Sequence, residues 1–220
     1  MKKLLKQVTE HFLKQIVIES IHPMEPIKVR YYPKPWILLG AGNYAAVFYH
    51  PDYADYAVKV YAYGKKGLQE EAEVYRLLGA HPAYSRCYYA GEDFLILQRL
   101  QGTTLYDCMK KGIRIPPQAI RDIDDALDYA VSRNLRPHDV HGKNVMIADG
   151  RGLIVDISDF SKQEDCRMWS DFKKAYYKFY WPIASRCVFP VPRFVLEGVR
   201  KGYQIYRRYR ARTAAAAVRS

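Results

Sequence analysis

Two apolar periods divide this chain, and the switch between them limits its fold more than any single residue does. Up to about residue 100 the pattern is largely that of alternating strands. "IKVRYY" alternates, and "PWILLGAGNYAAVFYH" reads as strand, glycine turn, strand. "DYAVKVYAY" is a further strand, and "CYYAGEDFLILQRL" offers two strands around Gly91-Glu92-Asp93. One helical stretch, "GLQEEAEVYRLLGAHP", is inserted and stops at Gly79, with Pro82 beyond. Helical spacing then takes over. "PPQAIRDIDDALDYAVSRNL" opens on proline and sets Ile120, Ile123, Leu127 and Val131 on one face, with Asn134 suited to a left-handed exit. The loop "RPHDVHGKNVMI" leads into the strand "NVMIA", the turn "DGRG" and the strand "LIVDIS". "WSDFKKAYYKFYWPI" is expected to be helical, and a basic helix is expected from about Phe194 to Arg212, after Pro190 and Pro192. Strands first and helices second predict an α+β, two-lobed chain with a joint near Gln98 to Gly102.

Before the sheet, residues 3 to 19 place Leu5, Val8, Phe12, Ile16 and Val17 near helical spacing, which predicts an amphipathic helix. The expected organisation is therefore a helix over 1–26, a sheet lobe over 27–98, a helical lobe over 99–188 and a basic helix and tail over 189–220. At 220 residues and 49% hydrophobic content the chain can build a substantial core. The opening residues are basic but meet Glu10, His11 and Lys14 early, so no secretory leader is expected. The longest uncharged run, Pro35 to Pro51, is short and broken by glycines, so no membrane span is expected. Cys87, Cys108, Cys166 and Cys187 are widely spaced, which points to free thiols in a reducing cytoplasm and away from a zinc site.

Four groups of residues carry chemistry. Gly40 and Gly42 sit between two apolar strands, where backbone N–H groups can approach phosphate oxygens without a Cβ in the way. Such a turn is often only a turn, and a Rossmann fold would need a helix straight after it, which "AAVFYH" does not provide. Lys59, in "AVKV", shares a strand face with Ala57, opposite Val58 and Val60. It is either an edge lysine that keeps its ammonium in water or a phosphate-binding lysine that needs an acid to hold it. Glu70, Glu71 and Glu73 are the candidate acids in the next helix, and Glu71 fits best by its distance from Leu78 and His81-Pro82. Asp139, Asn144 and Asp156 follow in that order. One Asp that accepts a hydroxyl proton, with an Asn and a second Asp that bind a divalent cation, is what phosphoryl transfer requires. Local capping by turn acids would account for any one of them but strains to account for all three.

Taken together these residues resemble the protein kinase-like superfamily, from about Trp36 to Tyr180. The order is glycine loop from Gly40 to Val47, strand lysine Lys59, helix glutamate Glu71, hinge "LILQRLQG", catalytic loop "HDVHGKN" and metal-binding "DIS". The helix with its His-Pro is similar to that of bacterial serine/threonine kinases, and the chain looks closest to small atypical members. The resemblance implies a two-lobed kinase-like fold with an antiparallel-sheet N-lobe holding one helix and a reduced, mostly helical C-lobe. It implies ATP and Mg²⁺ as cofactors and a hydroxyl-bearing acceptor, a protein rather than a small molecule. Asp139 would orient that hydroxyl as catalytic base, with His141 beside it. Asn144 and Asp156 would hold Mg²⁺. Lys59, fixed by Glu71, would touch phosphates covered by Gly40 and Gly42. Val47, Ala57 and the backbone of Gln98 and Leu100 would hold adenine. Asp171 resembles the aspartate that braces the catalytic loop through backbone N–H groups.

The departures narrow these expectations. Pro137-His138-Asp139 replaces H-R-D, so the arginine that reads a phosphorylated loop is absent. His141 stands where the usual lysine would, without a fixed charge. D-F-G has become Asp156-Ile157-Ser158, the third loop glycine is Ala45, and Asp159 is a rival ligand. Only Ser158 to Ser170 separate the metal Asp from the next helix, too little for an ordinary activation segment. A kinase acting on a sugar or lipid and a non-catalytic nucleotide-binding scaffold are the alternatives. His138 and His141 as a metal pair lack a third ligand at helical spacing. Finally, Lys201, Arg207, Arg208, Arg210, Arg212 and Arg219 face no acid over 201–220, half of the net charge of +12. The first half of the last helix is expected to pack on the lobe. The second half could touch anionic lipid, whereas no RNA-binding motif supports nucleic acid.

Overall fold

Alternation along the strands decides the layering. The computed structural model describes residues 1–22, 25–164 and 166–217, with the side chains of all of these except 208 and 211–217. The chain opens with α1 (Lys2–Gln7), a wide π turn (Val8–Phe12) and a last turn α2 (Leu13–Gln15). It continues through strands β1 (Val17–Glu19), β2 (Lys28–Tyr31), β3 (Ile37–Ala41), β4 (Ala45–Tyr49) and β5 (Tyr56–Tyr61). Helix α3 (Leu68–Leu78) precedes β6 (Cys87–Ala90) and β7 (Phe94–Gln98). Strands β3 to β7 form one antiparallel sheet in the order β3-β4-β5-β7-β6. One face of it, with Ala46, Phe48, Val58, Val60, Phe94 and Ile96, packs against Leu4, Val8 and Phe12 of the N-terminal helix. The other face, with Ala45, Ala57, Tyr61, Leu95 and Leu97, joins the core shared with the later helices.

That later part begins with β8 (Thr103–Thr104), α4 (Leu105–Lys111) and α5 (Pro117–Ser132). The hairpin β9 (Val145–Ala148) and β10 (Arg151–Ile154) adds to β8 as a small antiparallel sheet. Its turn takes Asp149 and Gly150 through positive φ. Helices α6 (Met168–Ala175), α7 (Trp181–Ala184) and the long α8 (Arg193–Ala217) complete the chain, with a π turn (Tyr176–Tyr180) between the first two. The fold is thus α+β, with an antiparallel sheet first and helices after it.

Helix α5 lies against the hairpin so closely that a Cβ on Gly152 would sit 2.3 Å from the Ala119 carbonyl oxygen. Asp122 on the same helix accepts from the Gly152 amide at 2.9 Å and from Arg151 at 2.7 and 2.9 Å. The far end of α5 is fastened to α3. The Tyr129 hydroxyl donates to the Leu78 carbonyl at 2.6 Å, Arg133 Nε donates to that of Leu77 at 2.8 Å, and the His81 ring stacks on Tyr129.

Three expectations are corrected. The first helix stops at Gln15, because Ile16 turns extended and Val17 and Ile18 pair with β2 instead. Three β-branched residues in a row favour a strand over another helical turn. The strand expected over "LIVDIS" ends at Ile154, since the Val155 amide turns to the Asn144 carbonyl at 2.9 Å. The last helix runs five residues past Arg212. Strand β8 and helix α4 were not expected. The helix is capped by the Thr104 hydroxyl, which accepts from the Asp107 amide at 3.0 Å, and it stops at Gly112 in the left-handed conformation.

Candidate active site

The face of β5 that carries Ala57, Lys59 and Tyr61 looks toward α3 and the helical half. In register, Val47 of β4 and Leu95 of β7 flank Lys59, and Leu97 flanks Ala57. Opposite residues in antiparallel strands share a face, so these side chains form one apolar surface around the ammonium. Glu71 alone among the three candidate glutamates is fully buried, while Glu73 pairs with Arg76 at the surface. The Lys59 Nζ reaches both Glu71 carboxylate oxygens, at 2.8 and 2.7 Å, and Asp156 Oδ1 at 3.4 Å. Residues 12 and 97 positions away thus share one cation. The Tyr61 hydroxyl donates to the second Glu71 oxygen. Alternation from Ala57 and Lys59 puts Tyr61 on the same strand face, the one signal in the sequence for its part in this cluster.

Burial alone would lower the Lys59 pKa, but the carboxylates of Asp156 and Glu71 overrule it and raise it well above the ordinary lysine range. Burial would likewise raise the Asp156 carboxyl, yet Lys59 and the Ser158 amide, which donates to Oδ1 at 3.1 Å, hold it below the usual carboxylate range. The Tyr61 phenol is pushed far up, by burial and then by the Glu71 charge.

Asp139 sits at φ 58, a conformation few non-glycine residues adopt. Asn144 secures it, donating from Nδ2 to the Asp139 carbonyl at 3.0 Å. That leaves the Asn144 side-chain oxygen as an available acceptor. His141 Nδ1 accepts from the Lys143 amide at 3.2 Å, and its Nε2 lies 3.8 Å from the Asp139 carboxylate. Burial raises the Asp139 pKa, His141 opposes it, and the charges of Asp159 and Asp156 reinforce it. The rival Asp159 is taken up by Lys162 at 2.8 Å and lies 3.9 Å from His138 Nδ1, a buried nitrogen with no hydrogen-bond partner among the described residues.

Around a Cβ built on Gly40 nothing lies within 4 Å, and on Gly42 only the Ala45 carbonyl at 3.9 Å. The Gly42 amide closes the turn onto that carbonyl at 2.9 Å. The space over the loop is open, as a phosphate chain would need. At the hinge the Gln98 amide donates to the Arg86 carbonyl at 2.7 Å, and the Gln98 carbonyl accepts from the Ser85 hydroxyl at 2.7 Å. A base seated there would share that carbonyl with Ser85. Leu100 follows directly, in the connector to β8. Asp171 accepts from the Tyr203 hydroxyl of α8 at 2.9 Å, in place of the loop amides expected for it. Among the described residues no group of three or more His, Cys, Asp or Glu side chains could hold a metal ion unaided. An amide oxygen and a carboxylate, as in Asn144 and Asp156, are donors of the kind a magnesium ion takes when substrate phosphates and water complete its shell.

An antiparallel sheet holding one helix, followed by a mostly helical half, is the arrangement of a kinase-like fold. A chain similar to this one is the "Putative serine/threonine-protein kinase YrzF" of Bacillus subtilis (strain 168), 30% identical over a 186-residue alignment that covers 77% of this chain and 80% of that one. This chain belongs to the protein kinase-like family. No protein-family model matches it.

Proposed function

We propose that the protein is an ATP- and Mg²⁺-dependent phosphotransferase that moves the γ-phosphate to a hydroxyl group on a protein. The observation that carries this reading is the convergence of Lys59, Glu71 and Asp156, which lie far apart in sequence, on one buried ion-paired cluster. In this reading residues 27–98 and 99–188 are the two halves of the catalytic unit, and 189–220 is appended to it. Lys59, oriented by Glu71, binds the α- and β-phosphates beneath Gly40 and Gly42. Val47, Ala57 and the backbone of Gln98 and Leu100 line the adenine site. Asn144 and Asp156 would hold the magnesium ion, which when bound neutralises phosphate charge. Asp139 accepts the proton of the acceptor hydroxyl while the new O–P bond forms, the bond to the β-phosphate bridging oxygen breaks, and ADP leaves. His141, with Nε2 turned toward Asp139, hydrogen-bonds a phosphate oxygen or that carboxylate. A cytoplasmic setting is supported by the four free thiols.

A second reading, a small-molecule acceptor, is favoured by the short connection between Asp156 and α6, which leaves little chain for docking a peptide. The test is ATP turnover with Mg²⁺ for the native chain, Asp139→Asn and Asp156→Ala. Both variants are expected to fall by about 100-fold or more. Equal rates in all three would reject catalysis. Labelling a lysate with radioactive ATP then separates the acceptors, since counts follow either protein or the small-molecule fraction.

A further inference from the structure

Helix α8 uses one line of its surface to hold on to the body of the protein. The Tyr203 hydroxyl meets Asp171, the Tyr106 hydroxyl donates to Glu197 at 3.2 Å, and Arg207 reaches the Met168 sulfur at 3.1 Å. At about 100° per residue, Phe194, Val195, Val199, Ile205 and Tyr206 gather in a separate arc of about 140°. These are exposed, Phe194 at 77% and Val199 and Ile205 each at 67%. Gly198 and Gly202 lie in the same arc, and a Cβ on either would meet nothing within 4 Å. A continuous apolar strip of this kind on a surface helix marks an interaction site.

The charge beside the strip identifies the partner. Over 193–217 the helix carries one acid, Glu197, against seven Lys and Arg. Lys201 borders one edge of the apolar arc and Arg210 the other, while Arg193 and Arg200 lie across the helix, Arg200 paired with Glu197 at 2.8 Å. No described helix is long and apolar enough to cross a membrane. An apolar arc flanked by basic side chains is instead the pattern of a helix that lies in the plane of a lipid surface. We propose that α8 seats the protein on an anionic membrane through Phe194, Val195, Val199, Ile205 and Tyr206, with Lys201 and Arg210 at the edges of the arc meeting lipid phosphates. A second copy of the chain fits the strip less well, because pairing two such helices brings their basic flanks together. A nucleic-acid backbone would satisfy the charge and leave the apolar arc in water. The inference is independent of the phosphotransfer reading.

The test is sedimentation of the full chain with vesicles of phosphatidylcholine alone and of phosphatidylcholine mixed with phosphatidylglycerol. The chain is expected to pellet with the mixed vesicles and stay in solution with the neutral ones, with binding that weakens as salt rises. Val199→Asp and Ile205→Asp, each at an exposed position, are expected to lower partition about tenfold or more. Lys201→Gln is expected to lower it about fivefold. Circular dichroism checks that each variant keeps its helix content. Absence of binding to the mixed vesicles, or binding that both Asp variants leave unchanged, overturns the proposal. So does a dimer seen by light scattering without vesicles that Val199→Asp dissolves, which would assign the strip to a second copy.

Discussion

The Tyr61 hydroxyl donates to the same Glu71 carboxylate that grips the Lys59 ammonium through both oxygens. Glu71 has no exposed surface, so these donors replace the water its charge has lost. Tyr61→Phe is expected to cost about 1.5–3 kcal/mol, the worth of a hydrogen bond to a charged group. Glu71→Ala, which leaves the buried lysine only the longer contact to Asp156, is expected to cost about 3 kcal/mol. Urea unfolding measures both. A Tyr61→Phe chain as stable as the native one would mean that the hydroxyl contributes nothing to this carboxylate.

Asp122 gives the protein an acid-sensitive joint. Arg151, with Gln118 and the Gly152 amide, holds its carboxyl down to about 2, against burial, which acts the other way. A folded-state pKa below the unfolded value stabilises the fold fully above about pH 4, and the benefit is lost as pH falls toward 2. Asp122→Asn is expected to lower stability at neutral pH by about 2 kcal/mol and to flatten the stability profile below pH 4. Unfolding midpoints across that range decide it; a variant with the native slope would acquit Asp122.

Gly152→Ala should be among the most damaging single-methyl changes. The new Cβ would meet backbone, the Ala119 carbonyl oxygen, and Ile123 at 3.0 Å, so α5 has to move off the hairpin. Overpacking of this kind costs about 1–3 kcal/mol. The melting temperature is expected to drop by about 5 °C, and an unchanged value would show that the helix gives way freely. Gly150→Ala offers a contrast, because its neighbourhood is open and only its φ of 76° resists a side chain.

Helix α8 is pinned by two tyrosine hydroxyls from opposite partners, Tyr106 to Glu197 and Tyr203 to Asp171. The double variant Tyr106→Phe/Tyr203→Phe is expected to speed amide hydrogen exchange along α8 while the amides of α5 keep their protection. Equal protection of α8 in both proteins would place its attachment elsewhere.

Much of this architecture was legible before any coordinates. Lys59 could be put on the face of Ala57 because strand alternation is strict, and that face does turn toward α3. Glu71 could be preferred to Glu70 and Glu73 by position in the helix, and it is the one that is buried. Short or long-range features escaped. Two residues of β8 are too few to show a period, and the pairing of β1 with β2 depends on a partner 9 to 14 positions away. Asp171 was matched to loop amides by its neighbours in sequence, but its partner Tyr203 lies 32 residues on. The left-handed backbone of Asp139 is set by the Asn144 side chain, a tertiary constraint that residue order does not reveal.

The bonds from Tyr129 and Arg133 moor the last carbonyls of α3 to the later half of the chain. Glu71 stands on that same helix, about two turns before the moored end. The carboxylate that grips Lys59 is therefore carried by an element tied to both parts of the core.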